Sequence, residues 1–256
     1  MEYALVLGGS RGLGWATVHK LHSEGIPVIA VHRDFKKDLP AISRKFEGLA
    51  RSKTPFHAIH KDAVRNVDGI LGELKKILGP GGSIRILVHS IARGNLKPMV
   101  GVRASDTLAP GDFSATAEAM AVNLYTWVSR LQEEGLFSPQ TQVVAFTSEG
   151  NKKVIPGYGA VAAAKASLEA IVRQIAVEFA PKGIRANCIQ AGVTDTDSLR
   201  QIPGSDRIVA ETIRRNPHGR LTLPSEVADA VFLLTRQEAS WITGNVLKVD
   251  GGESLC

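Results

Sequence analysis

Apolar and polar positions along this chain follow two rhythms that take turns. Short runs in which almost every residue is apolar, such as Ala4-Leu5-Val6-Leu7, predict strands buried on both faces. Longer amphipathic segments between them, beginning with Leu13 to about Glu24, predict helices. On this pattern strands are expected near Tyr3–Leu7, Pro27–His32, Phe56–His60, Ile84–His89, Gln142–Phe146, Arg185–Ile189 and Asn245–Val249. Helices are expected near Leu13–Glu24, Leu39–Ser52, Val67–Leu78, Asp112–Glu134, Tyr158–Phe179, Ser205–Asn216 and Ser225–Leu234. Alternation with short connections predicts an α/β fold: a single Rossmann-type, doubly wound parallel sheet of about seven strands with helices on both faces. One domain, residues 1–256, is expected, without repeats or a linker. Two stretches, about 93–111 and 195–223, leave the pattern after strands, at the carboxyl edge where such sheets bind ligands. They are the natural walls of a substrate pocket.

Glycine and tyrosine supply the chemistry. The first strand runs into Gly8-Gly9-Ser10-Arg11-Gly12-Leu13-Gly14, a turn that opens a helix. Glycines there let backbone approach a pyrophosphate, and the helix N-terminus meets its negative charge. The spacing is G-x-x-x-G-x-G, not the commoner G-x-G-x-x-G, so the turn alone also fits any α/β protein. Farther on, Tyr158 and Lys165 lie in an alanine-rich helical stretch, where seven residues span two turns, about 10.5 Å of axis. On one stripe, a phenol and an ammonium can bracket a ligand, and the lysine's charge is expected to lower the phenol's pKa.

Composition narrows the class. The chain has 256 residues, 44% hydrophobic and 22% charged, a composition that favours neither a disordered chain nor a fibre. No apolar run is long enough to span a membrane, and the first residues already form a strand instead of a signal peptide. A soluble, cytoplasmic protein is expected. Cys188 and Cys256 suggest neither a disulfide framework nor a metal site. His19, His22, His57, His60 and His89 lack ligand spacing, so no metal is expected. Net charge is +6, yet no basic block interleaved with aromatics points to nucleic acid. An acidic substrate or partner accounts for the charge.

Taken in order, these features resemble the short-chain dehydrogenase/reductase family over almost the whole chain. The carriers are Gly8/Gly12/Gly14, Asp62-Ala63, Ser90-Ile91-Ala92, Asn123, Thr147/Ser148, Tyr158, Lys165, the segment Ala191 to Thr196, and Gly244 to Gly252. Departures indicate the branch. The family's usual Tyr-x-x-x-Lys is Tyr-x6-Lys here, the fourth-strand turn reads His89-Ser90-Ile91-Ala92, and Ala191-Gly192 replaces Pro-Gly. All are similar to bacterial enoyl-[acyl-carrier-protein] reductases. Ser148 stands where the best-known of these carry a second tyrosine, and with Asn123 and the Thr194–Leu199 segment it resembles the third, NADPH-preferring type.

The resemblance implies a catalytic set of Tyr158, Lys165, Ser148 and Asn123. It implies a cofactor set of Gly8, Ser10, Arg11, Gly12, Leu13, Gly14, Arg33, Asp62, Ala63, Ser90, Ile91, Ala92, Lys165, Gly192, Val193 and Thr196. Asp62-Ala63 would meet the adenine, and Val193 and Thr196 the carboxamide. Arg33, at the end of the second strand, suits a 2′-phosphate and so NADPH; Asp34 beside it leaves NADH open. The expected reaction is reduction of the trans-2 double bond of an enoyl thioester, with Tyr158 stabilising the enolate oxygen. A carbonyl reductase acting on a 3-oxoacyl thioester or ketone is the alternative, and a non-catalytic NADPH-binding protein a further one. Family members are commonly tetramers built through the helices expected at Asp112–Glu134 and Tyr158–Phe179. Arg200, Arg207, Arg214, Arg215 and Arg220 would suit docking of an acidic acyl carrier protein.

Overall fold

Five successive buried residues in β1 (Glu2–Leu7) mark a strand covered on both faces. The computed structural model describes residues 1–202 and 204–256; residue 203, inside the second expected excursion, lies outside the described residues. With β1 go β2 (Val28–His32), β3 (Phe56–His60), β4 (Ser83–His89), β5 (Phe137–Thr147), β6 (Ile184–Ala191) and β7 (Val246–Val249). They form one sheet in the order β3-β2-β1-β4-β5-β6-β7, and every neighbouring pair is parallel. Parallel neighbours require crossovers, and the helices that make them pack on the two faces.

The period-two rule decides which side chain meets which layer. Tyr3, Leu5 and Leu7 point to the face covered by α3 (Val67–Leu78), α5 (Asn123–Glu133) and α6 (Gly159–Glu178), where Leu74, Trp127 and Leu168 are fully buried. Ala4 and Val6 point to the other face, covered by α1 (Gly12–Ser23), α2 (Leu39–Ala50) and α9 (Pro224–Leu234), through Val18, Phe46 and Val231 among others. Burying one Leu or Val this way contributes about 1.5–3 kcal/mol. The sheet is thus sandwiched between two separate apolar cores.

Three helical regions differ from the sequence pattern. The helix expected over Asp112–Glu134 is α4 (Pro110–Ala117), a wide i→i+5 turn over Glu118–Val122, and α5. Such turns swell a helix locally and are frequent at functional sites; this one directly precedes Asn123. Tyr158 sits before α6, as its N-cap residue, and not within the helix. In the second excursion α8 (Ser205–Arg215) matches the expected helix, but α7 (Asp197–Arg200) before it is unexpected; Thr196 caps α7 by accepting from the Leu199 N–H at 3.3 Å. One turn of helix is too short to leave a periodic signal.

Candidate active site

At the carboxyl ends of β1 and β4 the chain departs to opposite faces, which opens a crevice. Its floor is the glycine turn. Gly8 has φ +87°, and a Cβ there would overlap the Ser90 carbonyl oxygen. A Cβ on Gly14 would overlap the carbonyl oxygen of Gly8, so the helix start lies directly on the turn. Arg11 precedes α1 in extended conformation, and its side chain caps none of the first N–H groups. Those donors and the helix dipole make a ready anion site. The donor set and the side-chain-free cradle therefore fit the pyrophosphate of a dinucleotide.

A cleft of about 680 Å³ runs along this edge, in the size range of ligand sites. The structure brings to it Gly8, Ser10, Arg11, Gly12, Leu13, Arg33, Asp62, Ala63, Ser90, Ile91, Ala92, Lys165 and Thr196, from segments far apart in the chain. Gly14 supports the turn from behind. Gly192 and Val193 stand off the cleft wall. The Val193 N–H donates to Glu253 Oε2 at 3.0 Å and its carbonyl accepts from the Thr222 N–H at 3.1 Å. Both backbone groups of Val193, which together with Thr196 was expected to hold the carboxamide, are therefore already engaged.

Charge is arranged unevenly at the β2 end. Asp34 is the buried carboxylate: Arg11 Nε donates to it at 2.8 Å and His32 Nδ1 lies 2.8 Å away. Burial pushes its carboxyl pKa up, but Arg11, Ser10 and His32 outweigh this and hold it below the ordinary value. Arg11 also reaches Asp38 at 2.9 Å and Asp197 of α7 at 3.0 Å, tying the glycine turn to the second excursion. Arg33 and Arg93 both donate to Asp62 Oδ2, at 3.0 and 3.2 Å. The other oxygen, Oδ1, accepts from the N–H groups of Val64 and Arg65. The sequence pattern does not reveal the His32–Asp34 pair or the stacking of His32 on His60 at 4.9 Å. Neighbouring strands bring these rings together, which no single segment displays.

Deeper in the cleft, Lys165 Nζ donates to the Phe146 carbonyl at 2.7 Å. Burial drags its pKa down to about 8, against the raising effect of Cys188 and Glu169. Tyr158 OH lies 3.3 Å from Ser148 Oγ, which completes the expected pairing of those two. The expected pKa effect is reversed, however. Burial raises the Tyr158 phenol above its ordinary value, and only Ser148 opposes it. The cap position explains this, because the phenol is partly buried against Ser148 after the end of β5 while the ammonium is engaged by a strand carbonyl.

Asn123 is buried; its Nδ2 donates to the Ala63 carbonyl at 3.0 Å and its Oδ1 faces His89 Nε2 at 3.3 Å. Trp127 Nε1, one turn on, donates to the same carbonyl at 2.9 Å. Asn123 thus braces the Asp62-Ala63 turn, which lines the cleft. His89 is neutral, pushed to about 3 by burial and by the charge of Lys165.

Other arginines of the second excursion have partners. Arg200 pairs with Asp195, Arg214 with Glu211 and Arg220 with Glu226. Arg215 is half-buried, 3.1 Å from Glu149 and 2.8 Å from Glu253. Only Arg207, of the five, shows no carboxylate partner among the described residues, so the excursion is not a free basic face. Among the described residues no group of His, Cys, Asp and Glu has the makings of a metal site, and no helix is long and apolar enough to cross a membrane.

Glycine cradle and parallel sheet, with the Ser148–Tyr158 pair and Lys165 each meeting the end of β5, define a nicotinamide-dependent oxidoreductase of the short-chain dehydrogenase/reductase class. A family model described as enoyl-(acyl carrier protein) reductase matches residues 8–254, and the chain belongs to that family. The enoyl-[acyl-carrier-protein] reductase [NADH] of Aquifex aeolicus is 29% identical over 97% of this chain and 90% of its own. A 3-oxoacyl-[acyl-carrier-protein] reductase of Chlamydia muridarum is 28% identical over 97% of this chain and 96% of its own. The crystal structure of the NADH-dependent enoyl reductase from Aquifex aeolicus superposes with a TM-score of 0.82 at 26% identity, covering 100% of this chain and 97% of that one.

Proposed function

We propose that this protein reduces the trans-2 double bond of an enoyl thioester, with NADPH as the reductant. The observation that carries the reading is the Tyr158 phenol, partly buried, protonated and 3.3 Å from Ser148, in the Tyr-x6-Lys spacing with Lys165. The bound dinucleotide would supply a hydride to the β-carbon of the substrate. Electron density then moves to the thioester oxygen, and Tyr158 donates a hydrogen bond to that oxygen as its charge develops. A phenol with a raised pKa suits this role. An enolate needs a donor that keeps its proton, because the final proton goes to carbon. Ketone reduction instead ends with an alkoxide that must be protonated on oxygen, which favours a more acidic phenol.

Lys165 is read as holding the nicotinamide ribose hydroxyls while adding positive potential, with Ser148 fixing the phenol's direction. Gly8 to Gly14 cradle the pyrophosphate, Asp62-Ala63 and Ser90 to Ala92 border the adenosine half, and Thr196 borders the nicotinamide half. Support for the 2′-phosphate comes from Arg33, Lys37, Lys61 and Arg93, which line the β2 end. Asp62 is shared by two arginines, so a phosphate dianion meets cationic charge that one carboxylate cannot neutralise. The excursions at 93–111 and 195–223 are read as the pocket walls, and the +6 charge suits an acidic carrier. Exposed Ala166, Ala170 and Val177 on α6, with exposed Val122 in the wide turn and Tyr125 on α5, suit packing against a second copy.

The alternative, reduction of a 3-oxoacyl thioester, is favoured by the buried Asn123 and by Ser148 in place of a second tyrosine. Following NADPH oxidation with a trans-2-enoyl thioester and, in parallel, a 3-oxoacyl thioester separates the two. Turnover of the enoyl substrate is expected; turnover of the oxo substrate alone would overturn the reading.

A further inference from the structure

One turn after Lys165 on α6 stands Glu169, an acid on the buried face of that helix, only 7% exposed. Its Oε1 accepts two bonds, from Thr147 Oγ1 at 2.8 Å and from Asn151 Nδ2 at 2.5 Å. Thr147 is the last residue of β5 and the neighbour of Ser148; Asn151 closes the short turn 149–151 that follows. A single oxygen of the helix that carries Lys165 thus holds the strand end from which Ser148 reaches Tyr158.

The same carboxylate has an electrostatic task. Lys165 is a buried ammonium that donates to a neutral carbonyl, not to a carboxylate. Charged and titratable groups lie on the elements around it. On β6, Cys188 is a neutral thiol, pushed up to about 12 mainly by burial. On β4, His89 is neutral, and at the start of α6 Tyr158 is a neutral phenol. On α6 itself, Arg173 adds positive charge near Cys188. Lys165 and Glu169 share the buried face of α6 and meet adjacent residues of β5, Phe146 and Thr147, without forming a direct ion pair; with the Cys188 thiol neutral, Glu169 is the group left to supply negative charge to Lys165. A buried charge without a counter-charge is strongly destabilised.

We infer that Glu169 is the positioning residue of this site, acting as the counter-charge that keeps Lys165 an ammonium and as the clamp that fixes the β5 end bearing Ser148. The clamp rests on the roles given to Ser148 and Tyr158 under the proposed function; the counter-charge does not. A stability cycle tests the latter without substrate or cofactor. Glu169→Gln is made in the natural chain and in a Lys165→Met background, and unfolding is followed in urea at pH 7 and pH 10. A neighbouring opposite charge shifts a pKa by about 1–3 units, and without a direct ion pair the lower figure applies, so Glu169→Gln should lower the folding equilibrium constant about tenfold more when Lys165 is present. That excess should shrink at pH 10, where Lys165 is largely deprotonated. Equal effects in both backgrounds at pH 7 overturn the counter-charge.

Kinetics test the clamp. Glu169→Gln keeps an acceptor for Thr147 and Asn151, whereas Glu169→Ala does not. The alanine variant should show a kcat about tenfold below that of the glutamine variant near pH 6.5, with NADPH affinity equal in the two. Equal kcat overturns the clamp. If the natural chain turns over no enoyl thioester, the functional reading fails, while the stability cycle still decides whether Glu169 is the counter-charge.

Discussion

Replacing Lys165 by Met removes a buried ammonium, and the consequence for stability is calculable. In the fold Lys165 titrates at about 8, against 10.5 for the free side chain. Because the folded pKa is the lower one, the unfolded chain binds more protons between those values, and stability rises with pH across the window. Below about pH 8 the fold bears the whole cost of the charged form. At about 1.4 kcal/mol per pKa unit, this is about 3 kcal/mol at pH 7 and about 1 kcal/mol at pH 10. Lys165→Met also forfeits the bond to the Phe146 carbonyl and some packing, but those losses are the same at both pH values. The stability of Lys165→Met relative to the natural chain should therefore be about 2 kcal/mol more favourable at pH 7 than at pH 10. Urea unfolding at one fixed protein concentration, in matched buffers, measures that difference. A relative stability that is flat between the two pH values, or that improves with pH, refutes the assignment of a buried, depressed ammonium. The same variant should be inactive, so the residue is a case of function held at the expense of stability.

Three further outcomes follow from the site. Tyr158→Phe should lower kcat by about 100-fold or more while leaving the NADPH dissociation constant unchanged, as fluorescence titration and initial rates will show, because the phenol acts only as charge develops. Arg33→Ala should weaken NADPH binding by about 10- to 100-fold and leave NADH almost untouched; equal losses for both would remove the 2′-phosphate argument. Gly14→Ala drives a Cβ into the Gly8 carbonyl and should destabilise by about 2 kcal/mol, lowering Tm by about 4–8 °C in calorimetry.

Strands were legible because both-face burial leaves unbroken apolar runs, and the seven expected strands match the seven observed within a few residues, β5 excepted. That strand begins at Phe137, well before Gln142, since Pro139 and two glutamines interrupt its apolar pattern. The glycine turn was legible for a different reason: φ +87° and backbone overlap leave no other residue at Gly8. What escaped is whatever depends on strand order. Glu253 meeting Val193, Arg215 bridging Glu149 and Glu253, and His32 stacking on His60 each join segments whose separation along the chain carries no signal. Glu169 had a local signal, an acid at i+4 from Lys165 on an alanine-rich face, but its partners lie on β5 and the turn after it. The sense of the Tyr158 shift was missed because two turns of spacing suggest proximity to Lys165, whereas burial at the cap dominates.

The parallel sheet order also governs when the cofactor cradle can come into being. Gly8 lies in the first turn of the chain, yet its wall is the Ser90 carbonyl, and Leu7 pairs in register with His89. Between these lie β2, β3 and their helices, so the central contact closes a long loop whose entropy must be met before any contact rewards it. During synthesis from the N-terminus, β1 can pair with β2 early, but one of its edges stays open until β4 emerges. A nascent chain that ends before Ser90 thus has the glycine sequence without the cradle. The pyrophosphate site is a late product of folding, although it is written in the first fourteen residues.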